Sequence, residues 1–216
     1  MLNEKDVAKK LIEINAIKLN PDTPFTWASG LRSPIYCDNR TVLSFPAFRT
    51  EVKKALSVKA KKEFAGFDKV AGVATAGIAH GALIADELDL PFIYVRSKPK
   101  GHGRQNQIEG ILNPGEKCLV VEDLISTGGS SIQAVEVLRE AGAEVVGVIA
   151  IFSYVFDSAQ KNFAAADCPY TTISDYHALM AAMTEEGTFS QKQLSSLREW
   201  RQDPKAWSEK FELKNL

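Results

Sequence analysis

Four short apolar runs, at residues 70–74, 91–95, 118–121 and 144–152, recur along the middle of the chain, and none alternates polar with apolar. A strand with one wet face alternates; a strand that does not is buried on both faces. Between the runs lie stretches with helical spacing: residues 78–88, and residues 131–140 with Ile132, Val135 and Leu138, ended by Gly142. Buried strands separated by helices predict an α/β fold, a central parallel sheet flanked by helices on both faces. Ligands in such sheets bind beyond the carboxyl ends of the strands. Two loops of small residues, 75–77 and 123–130, fall at such ends.

The flanks read differently. Residues 4–18 carry Val7, Leu11, Ile12 and Ile14 on one helical face, and Asn20-Pro21 breaks the pattern. Residues 25–38 are two strand-like pieces around a turn at Ser29-Gly30, and Ser44-Phe45-Pro46 opens a helix with Phe48, Val52 and Leu56 inward. From Ser174 the tail is helical, with Leu194, Leu197 and Trp200, then Asp203-Pro204 starting a last helix. A length of 216 residues without a linker or repeat predicts a single domain over 1–216. Within it, about residues 1–40 and the tail 176–216 form a cap on the 44–175 core.

Composition narrows the function. A formal net charge of −1 argues against a protein that coats nucleic acid. Cys37, Cys118 and Cys168 form no metal spacing and no disulfide framework, the longest uncharged run falls well short of a membrane span, and the N-terminus carries no apolar signal core. No nucleic-acid or membrane partner is expected, and a cytoplasmic location is.

The most informative loop follows the third apolar run: Glu122-Asp123-Leu124-Ile125-Ser126-Thr127-Gly128-Gly129-Ser130. Glycines let several N–H groups point into one concavity, Ser126, Thr127 and Ser130 add hydroxyls, and the next helix directs its positive end there. That is a phosphate cradle. Two carboxylates beside it suit a ligand that carries vicinal hydroxyls as well, a ribose 5-phosphate. The plainer alternative is a turn in which Ser130 or Ser131 caps the helix.

A second loop, residues 96–110, leaves the same sheet edge with Arg96, Lys98, Lys100, His102 and Arg104 among three glycines. It is either a solvated excursion or a basic lid over a diphosphate: Arg96 a bidentate guanidinium, Lys100 a point charge, His102 a proton donor. His80, His177 and Trp27 read as structural.

The Glu122–Ser130 block resembles the phosphoribosyl-diphosphate motif of type I phosphoribosyltransferases. With the lid and the segment Phe25-Thr26, Ser29-Gly30, Ser33-Pro34, the chain is similar to orotate phosphoribosyltransferases from about residue 5 to about 180. The resemblance implies transfer of phosphoribosyl from its diphosphate to orotate, with Lys100 and His102 catalytic. Arg96, Lys100, His102 and Glu122 through Ser130 would bind phosphoribosyl diphosphate, and Ser126 orotate. It further implies a homodimer whose lids reach the neighbouring site, Mg²⁺ carried by the diphosphate, and no protein-held metal or prosthetic group. Some members have lysines where this chain has Ala28, Ala76 and Ser97, and an arginine that residues 152–156 lack; Lys98 and Arg104 are candidate replacements for the lysines. The alternatives are a phosphoribosyltransferase for another base and a non-catalytic regulator of the same fold.

Overall fold

The computed structural model describes residues 2–27, 29–98 and 107–213. Chain order begins with helix α1 (Glu4–Glu13) and strands β1 (Ile17–Leu19), β2 (Phe25–Thr26), β3 (Arg32–Ser33) and β4 (Ile35–Cys37). A 3₁₀ segment (Asn39–Ser44), α2 (Pro46–Glu63), β5 (Lys69–Val73), α3 (Ala76–Leu88), β6 (Phe92–Val95) and β7 (Ile108–Glu109) come next. Then follow β8 (Lys117–Ile125), α4 (Gly129–Glu140), β9 (Glu144–Ser153), α5 (Asp157–Ala165) and β10 (Tyr170–Asp175). Helices α6 (Tyr176–Glu186), α7 (Gln191–Gln202) and α8 (Pro204–Leu213) end the described chain.

The sheet runs β10-β9-β8-β5-β6-β7, parallel throughout except for the short β7, which returns antiparallel on β6. Successive side chains of a strand go to opposite faces, and the core divides accordingly. Leu119, Val121, Ile149 and Ile151 join α1, α2, α3 and the tail helices in one cluster. Val120, Val148 and Ala150 join Val135 and Leu138 of α4 and Phe163 of α5 in the other. All nine of these strand and α4 side chains are fully buried.

The ends of the chain meet each other. Ser174 Oγ donates to the Glu4 carbonyl (2.7 Å) and Lys59 Nζ to the Thr172 carbonyl (2.6 Å), tying α1 and α2 to the edge strand β10. The Arg32 N–H donates to Ser208 Oγ (2.9 Å), tying the β2–β3 hairpin to α8. Trp27 stacks on Tyr154 (5.6 Å) and meets the fully buried Trp200 edge-on (5.6 Å).

Four boundaries differ from the expectation. The first helix stops at Glu13, because Asn15 takes a left-handed φ of 59° and the chain turns into β1 instead of running on to residue 18. The third apolar run continues as strand through Glu122, Asp123 and Leu124 to Ile125. Helix α4 begins at Gly129, two residues early, and its N-cap is Gly128 without any side-chain cap, so neither Ser130 nor Ser131 caps it. Ser174 lies in β10, and the helical tail begins at Tyr176, capped by Asp175 Oδ1 accepting from the Ala178 N–H (2.8 Å).

Candidate active site

From β5 the chain steps out to β6 on one side, then crosses back to lay β8 on the other. The helices that follow β5 and β8 therefore leave on opposite faces, α3 into the first cluster and α4 into the second. A crevice opens between two such strands at their carboxyl ends, the switch point where α/β sheets bind ligands. Glu122 and Asp123 lie in the carboxyl-terminal half of β8, just past its last residue in register with β5, Val121 beside Gly72. A Cβ on Gly77 would stand 2.3 Å from the Val121 carbonyl oxygen, so only glycine lets α3 approach β8 this closely.

Glu122 is 5% exposed. Its Oε2 accepts from Ser130 Oγ (3.1 Å) and Ser131 Oγ (3.4 Å), and its Oε1 from the Asp123 N–H (3.1 Å). The serines that could have capped α4 thus tie the helix's first turn to the strand. Gly128 makes the turn between them at φ 82°, and a Cβ there would strike the Phe163 ring at 2.6 Å. Phe163, stacked on Tyr170 at 4.3 Å, backs the turn, and Asn162 Nδ2 donates to the Thr127 carbonyl (3.0 Å).

Burial pushes the Glu122 carboxyl up, and the neighbouring Asp123 charge pushes it further. Burial also raises Asp123, opposed by hydrogen bonds from Glu122 and the Leu124 N–H and by the charge of Arg40. Two adjacent carboxyls in low dielectric resist ionising together. Asp123 keeps partial exposure, as do Leu124 and Ser126; Thr127, Gly129 and Ser130 are exposed, and the Ile125 side chain is fully buried.

Sequence reasoning missed Asn39. Fully buried, it donates from Nδ2 to the Asp123 carbonyl (2.7 Å), while its Oδ1 accepts from the Cys37 thiol (3.4 Å). It docks the N-terminal segment on the acid strand across 84 positions of sequence, a pairing for which no local pattern exists.

Of the basic loop, Lys100, His102 and Arg104 lie outside the described residues, and Arg96, Ser97 and Lys98 inside them. The stem is closed: the Arg96 N–H donates to the Gln107 carbonyl (2.8 Å), Gln107 Nε2 returns to the Arg96 carbonyl (3.0 Å), and Arg96 Nη1 pairs with Glu109 (3.5 Å). Arg96, Ser97, Ser130 and Gln133 line one small cleft, so stem and cradle are neighbours. Ala76 opens α3, and Ala28 lies outside the described residues.

Beside the cradle, a cavity of about 360 Å³ is lined by Trp27, Leu31, Ser126, Thr127, Phe156 and Arg201, with Asp157, Asp203 and Lys205 at its edge. Two larger hollows, of about 690 and 570 Å³, lie over α2 between lysine stems and Leu2, and neither is lined by the acid pair, the turn 126–129 or Arg96. Size does not identify the site here; convergent polar chemistry does. Among the described residues, no three His, Cys, Asp or Glu side chains are placed to hold a metal ion, and no helix is long and apolar enough to cross a membrane.

The sequence profile of the phosphoribosyl transferase domain matches residues 39–177. A Listeria innocua protein named orotate phosphoribosyltransferase is 50% identical over 204 residues, 94% of this chain and 98% of its own. An orotate phosphoribosyltransferase structure from Aeropyrum pernix superposes with a TM-score of 0.74 at 28% identity, covering 85% of this chain and 99% of that one. Leishmania donovani UMP synthase gives 0.76 at 26% identity, covering 92% of this chain and 42% of that longer one. The parallel sheet with its switch-point crevice is the type I phosphoribosyltransferase fold.

Proposed function

The chain belongs to the orotate phosphoribosyltransferases, and we infer that it transfers the 5-phosphoribosyl group from phosphoribosyl diphosphate to orotate, giving orotidine 5-phosphate and diphosphate. The observation that carries the reading is the turn 126–129, set by Gly128 between a buried acid pair and the start of α4 at the sheet's switch point. In this reading the 5-phosphate sits on the N–H groups of that turn and of the first turn of α4, at the helix's positive end. Asp123, half-exposed, meets the ribose hydroxyls. Glu122, already engaged by Ser130, Ser131 and the Asp123 N–H, holds strand, turn and helix in register.

The bond from the ribosyl carbon to the diphosphate breaks, and its electron pair leaves on the diphosphate. A ring nitrogen of orotate forms the new bond on the opposite face and gives up its proton. Mg²⁺ enters as part of the diphosphate substrate and neutralises the charge that departs with it. Lys100 and His102 complete that neutralisation from the lid, His102 able to supply a proton, in a homodimer whose lids reach the neighbouring site. Catalysis is electrostatic and positional, without a covalent intermediate. We place the enzyme in the cytoplasm, as one domain with residues 1–40 and 176–216 capping the core.

The test is an ultraviolet assay of purified protein with Mg²⁺, phosphoribosyl diphosphate and orotate, with adenine, hypoxanthine and uracil in parallel. Loss of orotate absorbance with orotate alone is the expected result. Turnover of another base overturns the acceptor, and tight diphosphate-ester binding without turnover of any base overturns the activity.

A further inference from the structure

Orotate is a planar ring bearing a carboxylate, and its binding site needs a flat apolar slot and a cation. Residues 152–156 at the end of β9 supply no arginine. The cavity beside Ser126 nevertheless contains one, brought from the C-terminal tail. Arg201, near the end of α7, reaches back 46 positions, and its Nη2 donates to the Val155 carbonyl oxygen and lies 3.4 Å from Asp157 Oδ1. Its Nε–H is buried and has no partner among the described residues. A buried guanidinium N–H without an acceptor is costly and uncommon, which makes it a marker for a group that arrives with a ligand.

The surroundings suit an anionic heterocycle. Trp27, Leu31 and Phe156 are apolar walls, Ser126 and Thr127 of the cradle turn form the adjoining side, and the volume of about 360 Å³ lies in the range of small-molecule sites. Lys205 also lines the cavity but is exposed. Of the two acids there, Asp203 Oδ1 accepts from the Ala206 N–H (2.9 Å), and Asp157 meets Arg201 only at Nη2, from a side chain 81% exposed, which leaves Nε to a ligand. Arg201 itself is firmly seated. Val155, a β-branched residue, is held at a left-handed φ of 55°, with its N–H donating to Ser153 Oγ (2.9 Å) and its carbonyl accepting from Arg201. Such backbone persists only where its surroundings over-determine it, and it occurs most at binding sites.

We propose that Arg201 is a specificity-determining residue, its guanidinium taking the acceptor's carboxylate in the cavity beside Ser126. The proposal rests on orotate being the acceptor. An arginine from the tail then occupies the functional place left empty by residues 152–156, and the tail is part of the active site.

The experiment compares wild type with Arg201→Gln and Arg201→Lys in the full-length protein. It records KM for orotate and for phosphoribosyl diphosphate, competitive inhibition by uracil, which lacks the carboxylate, and the unfolding temperature. Loss of a charge-assisted pair is expected to raise the orotate KM at least about tenfold in Arg201→Gln. The KM for phosphoribosyl diphosphate and the uracil inhibition constant stay within about twofold, and Arg201→Lys recovers part of the loss. An unchanged orotate KM, or equal weakening toward both substrates and uracil, reduces Arg201 to a clamp on Val155 and overturns the proposal. Should Arg201→Gln fail to fold, Arg201→Lys decides: a several-fold rise in orotate KM at wild-type unfolding temperature supports it, and an unchanged KM overturns it. A wild type active on another base but inert toward orotate overturns the parent reading instead.

Discussion

Gly77→Ala should destabilise the protein, against the ordinary sign of such a change. Gly77 is the second residue of α3, and alanine in a helix ordinarily gains up to about 1 kcal/mol over glycine. Here the new methyl would lie 2.3 Å from the Val121 carbonyl oxygen, 3.2 Å from its carbon and 3.3 Å from Glu122 Cα. The closest approach is roughly 1 Å inside contact distance, and the obstacle is the backbone of a central strand, hydrogen-bonded to neighbours on both sides. It cannot swing away as a side-chain tip could, so α3 must move. Overpacking of this kind costs about 1–3 kcal/mol; with a backbone obstacle the upper end applies, and the propensity gain leaves a net loss of about 2 kcal/mol. At about 2–4 °C per kcal/mol for a chain of this size, thermal denaturation should show a Tm lower by about 4–8 °C. Gly129→Ala is the control: its nearest neighbour is Thr127 Oγ1 at 3.9 Å, and its stability should stay within about 0.5 kcal/mol of wild type. Because the displaced contact adjoins Glu122, the KM for phosphoribosyl diphosphate should rise in Gly77→Ala as well. A Gly77→Ala protein as stable as wild type would refute the argument that this missing Cβ sets the α3–β8 spacing.

Asp123→Asn should lower kcat/KM for phosphoribosyl diphosphate about 100-fold, read in the orotate assay. Burial raises the Asp123 carboxyl, so wild type carries at pH 7 a desolvation penalty that the amide lacks; the variant should unfold at an equal or higher temperature there, and the advantage should fade on acidification to about pH 4. His80 is 2% exposed, and burial lowers it from 6.5 to about 4. Its folded pKa lies below its unfolded one, so its contribution is intact above about pH 6.5 and is lost as pH falls toward about 4, a change on the order of 3 kcal/mol. Urea midpoints between pH 7 and pH 4.5 should therefore fall less steeply in His80→Gln than in wild type, and parallel slopes would show that His80 does not carry the acid sensitivity. Lys100→Ala and His102→Ala should each lower turnover about 100-fold without moving the unfolding temperature, and turnover near wild type would remove both from the lid.

The sheet was legible because β5, β8 and β9 are buried on both faces, and their apolar runs admit few other structures. Where burial is partial the signal weakens. Strand β10, Tyr-Thr-Thr-Ile-Ser-Asp at the sheet edge, has four half-buried positions and does not stand out as a strand. The end of β8 was misplaced for a related reason: Glu122 and Asp123 look like a loop, yet a buried strand carries them because serines and backbone N–H groups meet the carboxylates. The turn between β8 and α4 was readable because its residues are consecutive. Asn39, and Arg201 in the proposed acceptor cavity, were not, because each comes from a distant segment and nothing in its own neighbourhood marks it.

Two adjacent acids at the end of a buried strand are a poor choice for stability, since burial raises both and neither has a cation within its own turn. In the proposed function their value lies with the bound substrate. In the proposed reading, a phosphate on the N–H groups of α4 would place ribose hydroxyls, which donate hydrogen bonds, beside Asp123, the more exposed of the two carboxyls. In that reading, positive charge grows on the ribosyl ring as the diphosphate departs, and the pair's anionic form would become the favoured one. An arrangement that is strained electrostatically when empty and relieved when charge develops stabilises the transition state more than the bound substrate, and only such a difference accelerates a reaction. The stability given up at Glu122 and Asp123 and the proposed rate enhancement are therefore two readings of one electrostatic feature, and Asp123→Asn should move them in opposite directions.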